Sequence, residues 1–291
     1  MKTNGDVSLL CPDFQIVLLL TDYGRNPCPL PASEKSLSYD GMFFSSGSRG
    51  TYRSDIPYIL YPRSTTILEV EPVFEWHDTD GSFYTVELWQ GTTLIWSQVE
   101  VTGNLLQYPA NAPKLLAGKD YLLIVTDKDT GKDSNVDPNK GLGFQVASDA
   151  QIVEIERQQN AILSLPDLSL VAQKFALAIY YAQLDVNGRG VWGEASKLLG
   201  EVGDVQPAAP AVHLRYGNVL VKMKLWGEAQ AEYETALTQA QKLNDLESQA
   251  DAIAALWRIT GEPSQFSQSL NLYRKIGEQD KANALQKENN P

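Results

Sequence analysis

The stretch WGEASKLL at residues 192–199 returns as WGEAQAEY at 226–233, with Trp, Gly, Glu and Ala each recurring 34 residues on. Four shared letters can be chance, but a fixed period inside a helical region is not. Each copy is then one supersecondary unit that can bury its apolar face only against the next copy. From Ala147 onward the apolar spacing is helical. Ser148 or Asp149 can cap a helix carrying Ile152, Ile155 and Ile162 that stops near Pro166, and Asp167 can cap the next, LSLVAQKFALAIYYAQLD, which ends at NGRG. Further breaks are expected at Gly203 to Pro210, at Asn244-Asp245 and at Gly261-Glu-Pro263.

The echo can be tested position by position, because two helices that cross closely need small residues at the crossing. In the clearer copy, residues 210–243, Gly217 and Ala229 supply them, Tyr233 is the bulky residue that fills the gap to the next hairpin, and Ala236 gives a last close approach. The preceding copy has Ala178, Ala195, Leu199, Val202 and Pro207 at matching places, with a turn lengthened by NGRGV. A worn third copy places Phe266, Ser269 and Tyr273 40 residues beyond Trp226, Ala229 and Tyr233, followed by a polar capping helix, EQDKANALQKE.

This pattern resembles the tetratricopeptide repeat family. The resemblance implies a solenoid of stacked helix hairpins whose first helices line a concave groove for an extended peptide or a partner helix. On that alignment Leu214, Arg215, Asn218, Val221 and Lys222 face the groove. Arg215, Asn218 and Lys222 resemble part of the clamp by which some members hold a peptide carboxylate. Leu214 stands where that clamp has a Lys, and the neighbouring helix offers Ala176, Ile179 and Gln183. For any one of these residues an ordinary solvated face is the plainer reading.

Ahead of the repeats the pattern is β. PVFEW (72–76), the turn HDTDGS, FYTVELW (83–89), TTLIWSQVEV, a Pro-broken QYPANAP and YLLIVT (121–126) are strands and turns at the spacing of a sandwich. Trp76 as a core Trp, with Leu115, Gly118 and Tyr121 in a Leu-x-x-Gly-x-x-Tyr run, makes residues 56–147 resemble a fibronectin type III or related immunoglobulin-like module. The expected fold is thus multidomain β + α: an antiparallel β-sandwich at 56–147, then an all-α helical-hairpin solenoid with a capping helix at 148–291. A small β element (1–30) and a linker or arm (31–55) precede them. The layout resembles bacterial tetratricopeptide proteins with a β-sandwich ahead of the repeats, often exported.

A net charge of −12, from 36 acidic and 24 basic residues, opposes binding to nucleic acid and to anionic lipid, and there is no apolar run long enough to span a membrane. Cys11 and Cys28 are the only cysteines. They are either two unrelated thiols or one disulfide closing a loop around FQIVLLL. The compartment stays open with them: extracytoplasmic if a signal peptide has been removed, otherwise cytoplasmic.

Catalytic motifs fail on context. GRGVWG (188–193) fits G-x-G-x-x-G but follows a helix rather than a strand, and His77 and His213 lie in different regions with no partner at metal or nucleophile spacing. Asp127, Asp129, Asp133 and Asp137 offer oxygens of the kind calcium prefers. Lys132 and Pro138, however, stand where a calcium loop needs Gly and a bidentate Glu, which favours a solvated hairpin loop over a weak calcium site. The expectation is a non-enzymatic scaffold with no cofactor that binds another protein or peptide. The alternative is an extracytoplasmic module that binds carbohydrate or cell wall through sandwich aromatics such as Trp89 and Trp96.

Overall fold

The computed structural model describes residues 53–289 except 138–142, 167, 185 and 187. The expected N-terminal β element, most of the arm, Cys11 and Cys28 lie outside the described residues.

Two sheets enclose one core. The first has the order β1-β3-β6, formed by β1 (Ile59–Tyr61), β3 (Val73–Trp76) and β6 (Leu105–Gln107). The second has the order β2-β8-β7-β4-β5, with β2 (Thr66–Ile67), β4 (Tyr84–Gln90), β5 (Thr93–Val101), β7 (Asp120–Asp127) and β8 (Phe144–Val146). Alternation along β4 sends Tyr84, Val86 and Leu88 into the core, where they meet Phe74 and Trp76 of the facing sheet. Tyr121 is also buried. Its hydroxyl accepts a hydrogen bond from the Leu116 amide at 2.7 Å, and Gly118, at φ +70°, makes the turn between them.

A wholly antiparallel β region was expected, but β2 pairs with β8 in parallel, Thr66 opposite Gln145. The chain leaves the first sheet after Tyr61, where Pro62 has no N–H to continue a ladder, and joins the second sheet at Thr66. Residues 62–65 therefore run along one margin of the two sheets.

Among the described residues eight α-helices follow: α1 (Asp149–Leu163), α2 (Leu170–Gln183), α3 (Trp192–Val205), α4 (Pro210–Lys222), α5 (Trp226–Leu243), α6 (Leu246–Thr260), α7 (Pro263–Ile276) and α8 (Gln279–Asn289). Ser148 and Gln151 form a capping box on α1. The cap of α2 is Ser169, whose side chain accepts from the Ala172 amide; the expected cap, Asp167, lies outside the described residues. Gly203 does not break α3, which runs on to Val205; the break falls at residues 206–209, ahead of Pro210 at the start of α4. Asn244 ends α5 in the left-handed conformation (φ 54°), and Asp245 caps α6 one residue later.

Helices α2/α3, α4/α5 and α6/α7 form successive antiparallel pairs, a helical-repeat arrangement. The close crossings lie where the small residues are: Ala178, Ala195 and Ala229 are fully buried, and a Cβ on Gly217 would stand 2.4 Å from the Tyr233 ring. In the third pair the Ser269 hydroxyl reaches the Ala250 carbonyl at 2.8 Å. Ala282 and Leu285 of α8 close the end of that pair.

Candidate functional site

The first helix of the middle hairpin, α4, carries all five residues expected to face a groove, but they are not equivalent. Val221 is 2% exposed and packs in the helical core with Val219 and Leu220, so it contributes to no contacting surface. Leu214 is half-buried against the same core. Arg215, Asn218 and Lys222, at positions i, i+3 and i+7, share one helical face and are each half-buried. Asn218 is oriented by Tyr233, whose hydroxyl donates to Oδ1 at 2.7 Å. That bond turns the amide nitrogen into the part of the side chain left to donate elsewhere. On α2, Ala176 is buried, Ile179 half-buried and Gln183 exposed.

A second constellation was not legible in the sequence: the seam between the β region and the turns of the first two hairpins. The Tyr58 hydroxyl donates to Glu228 at 2.6 Å, and the Tyr61 hydroxyl to Glu194 at 2.8 Å. Those two glutamates are the Glu of WGEA in its two copies. Burial pushes the Tyr61 phenol well above the ordinary range, and the neighbouring Glu194 charge adds to it. This tyrosine is therefore a permanent donor.

The glycine-rich run 188–193 serves the same seam. The Gly190 carbonyl accepts from the Thr66 amide at 2.9 Å and from the Thr65 hydroxyl at 3.2 Å, while the Gly193 amide donates to that hydroxyl at 2.9 Å. A Cβ on Gly193 would stand 2.4 Å from the Tyr61 ring, so glycine here lets a strand approach a helix start. Arg189 adds an ion pair to Asp120 at 2.7 Å.

Arg63 lies at the centre of the seam and is 1% exposed. Its guanidinium donates to the Ile59 carbonyl (3.1 Å), to Asp137 (2.9 Å), and to the carbonyls of Met223 (2.8 Å) and Lys224 (3.2 Å) in the α4–α5 turn. Burial lowers its basicity while the Asp137 carboxylate opposes that shift, and an arginine so paired keeps its charge.

The four aspartates weighed for calcium have separate tasks. Asp127 accepts from the Thr79 hydroxyl and from the amides of Asp129 and Thr130. Burial pushes its carboxyl up, but those bonds outweigh burial and hold it below the ordinary range. Asp129 accepts from the Ser82 amide, Asp133 from the Asn135 amide, and Asp137 is held by Arg63. Among the described residues no group of three or more His, Cys, Asp or Glu is placed to hold a metal ion. Nor is any described helix long and apolar enough to cross a membrane.

Trp89 and Trp96, the aromatics weighed for carbohydrate, are each half-buried. Trp96 packs on Tyr108 (centroids 5.2 Å apart) and Phe74 (6.2 Å), and Trp89 has its indole N–H on Glu87.

The two histidines are likewise accounted for. His77 stacks on Tyr58 at 4.8 Å. His213 has Nδ1 2.7 Å from a Glu232 carboxylate oxygen and Nε2 3.2 Å from the Pro207 carbonyl. Both nitrogens face acceptors, so only the imidazolium satisfies both. The hydrogen bond to Glu232 raises the His213 pKa above its ordinary 6.5, against the opposing effect of burial. A raised folded-state value stabilises the fold fully below the unfolded-state pKa and is lost as pH rises through the folded value. The denaturant midpoint is therefore expected to fall as pH rises from below 6.5 through that value, and His213→Gln should flatten the dependence in urea titrations across the window.

What the fold and these surfaces define is a β region joined to a repeating helix-hairpin region. No known family's sequence profile matches the chain, and no curated protein is detectably similar to it in sequence.

Proposed function

We propose that the protein is a non-enzymatic scaffold that recognises another protein through the first helices of its tetratricopeptide-like hairpins, with a fibronectin-like β-sandwich built onto their turns. The observation that carries this reading is the α4 face. Two cations, Arg215 and Lys222, flank an amide, Asn218, whose orientation Tyr233 fixes, on a chain whose net charge is −12. An extended segment that ends in a carboxylate suits such a face: the amide donates to its backbone and the cations meet its terminal charge.

The test is selection of random peptides with free C-termini on the purified protein. Enriched peptides should lose at least tenfold in affinity when their terminus is amidated, and again on Arg215→Glu with Lys222→Glu. Unchanged binding by that double variant would remove α4 as the recognition face.

A further inference from the structure

Residues 58–66 bond to helices at two places, and those places belong to consecutive hairpins. Tyr61, Thr65 and Thr66 engage the α2–α3 turn and the start of α3 at Gly190, Gly193 and Glu194. Tyr58 and Arg63 engage the α4–α5 turn and the start of α5 at Met223, Lys224 and Glu228. The β segment therefore lies across the joint between the first and second hairpins.

Helices α3 and α5 both pack on α4, which connects the two anchored helix starts. Tyr58 and Tyr61 are three residues apart, and an extended chain advances about 3.3 Å per residue, so the interval spans about 10 Å. A straight strand would turn residues at an odd interval to opposite faces. Here β1 has a register irregularity between Ile59 and Tyr61, and both hydroxyls reach the helices.

We propose that residues 58–66 are an intramolecular splint that sets and stiffens the angle between the first and second hairpins, with the two WGEA glutamates as its anchor points. The joint between the second and third hairpins is built differently. It rests on α5 packing against α6, and beyond it α8 is tied to α6 by ion pairs of Lys281 with Glu247 and Asp251 and of Arg258 with Glu288. The worn third copy has Gln268 at the position of Glu228. The splint is a property of the chain by itself and needs no bound partner.

The experiment measures spin-label distances in the full chain, with Cys11→Ser and Cys28→Ser to remove the native thiols. One label pair, Asp204→Cys with Thr238→Cys, reports the first joint at equivalent positions of α3 and α5. A second, Thr238→Cys with Arg274→Cys, reports the second joint. All three sites are exposed. Into each background go Tyr58→Phe and Tyr61→Phe, which delete only the two hydroxyls, together with Thr65→Val.

The expected result is a distance distribution about twice as wide for the first pair and an unchanged one for the second. Amide exchange should accelerate about tenfold in peptides covering 188–194 and 223–229, and not in those covering 260–278. An unchanged first-pair distribution would overturn the proposal, as would equal broadening of both pairs or uniform acceleration of exchange along the helices.

Discussion

Arg63→Ala is expected to destabilise the protein by about 3–5 kcal/mol, the cost of removing one partner of a buried ion pair. Asp137 is itself nearly inaccessible, with 4% exposure, so its carboxylate cannot turn to water when the guanidinium goes. Three carbonyls, of Ile59, Met223 and Lys224, lose a donor in the same substitution. Arg63→Lys should recover part of the loss, because a point ammonium with three protons cannot span four acceptors that the planar fork reaches together. Urea unfolding followed in parallel by Trp fluorescence and helical circular dichroism provides the check. A loss below about 1 kcal/mol for the alanine variant would mean that the seam is far less tightly held than its burial implies.

Tyr233→Ala is the second large effect, about 3–5 kcal/mol, as for other buried aromatic side chains cut back to a methyl group. Its ring is fully buried in the space that Gly217 leaves open. Tyr233→Phe should cost only about 1 kcal/mol, the net worth of the hydroxyl bond to Asn218. Gly217→Ala should cost about 1–3 kcal/mol by overpacking, because its Cβ meets the ring at 2.4 Å. In a Tyr233→Ala background the collision partner is gone, and the same glycine change should be neutral or favourable through helix propensity. The difference between the two backgrounds isolates the ring-on-glycine contact. Gly203→Ala is the control: its Cβ would find only ordinary contacts, the nearest at 3.7 Å, so that variant should gain about 0.5–1 kcal/mol.

The hairpins were legible in the sequence because their determinants are local. Gly217, Ala229, Tyr233 and Ala236 lie within 20 residues of one another, and helical geometry alone brings them to one crossing. Helix ends were legible where a capping residue or Pro marks them, as at Ser148, Asp245 and Pro263, and misleading at Gly203, where a helical glycine imitates a break. On α4 the helical period puts Arg215, Asn218 and Lys222 on one stripe but does not separate them from Val221, which the core absorbs.

The seam was not legible, because its pairs are far apart along the chain: 133 residues for Tyr61 with Glu194 and 170 for Tyr58 with Glu228. The repeated Trp and Ala of WGEA account for themselves as packing residues. The repeated Glu had no local reason to be there, and NGRGV read only as a lengthened turn. Both make sense once a strand is laid across them. An unexplained polar residue that recurs at the period of a repeat is thus a signal worth reading.

The seam also bears on how such an array can change length. Its hydrogen bonds fall on the first two hairpin turns, and the chain reaches α6 only after Asn244 has closed α5. Whole hairpins gained or lost beyond Leu243 would leave every one of those bonds in place, whereas a hairpin inserted between α3 and α4 would draw Glu194 and Glu228 apart beyond the reach of two tyrosines three residues apart. Growth and shortening of the array are therefore expected at its C-terminal end, with the two-hairpin unit nearest the β region inherited intact.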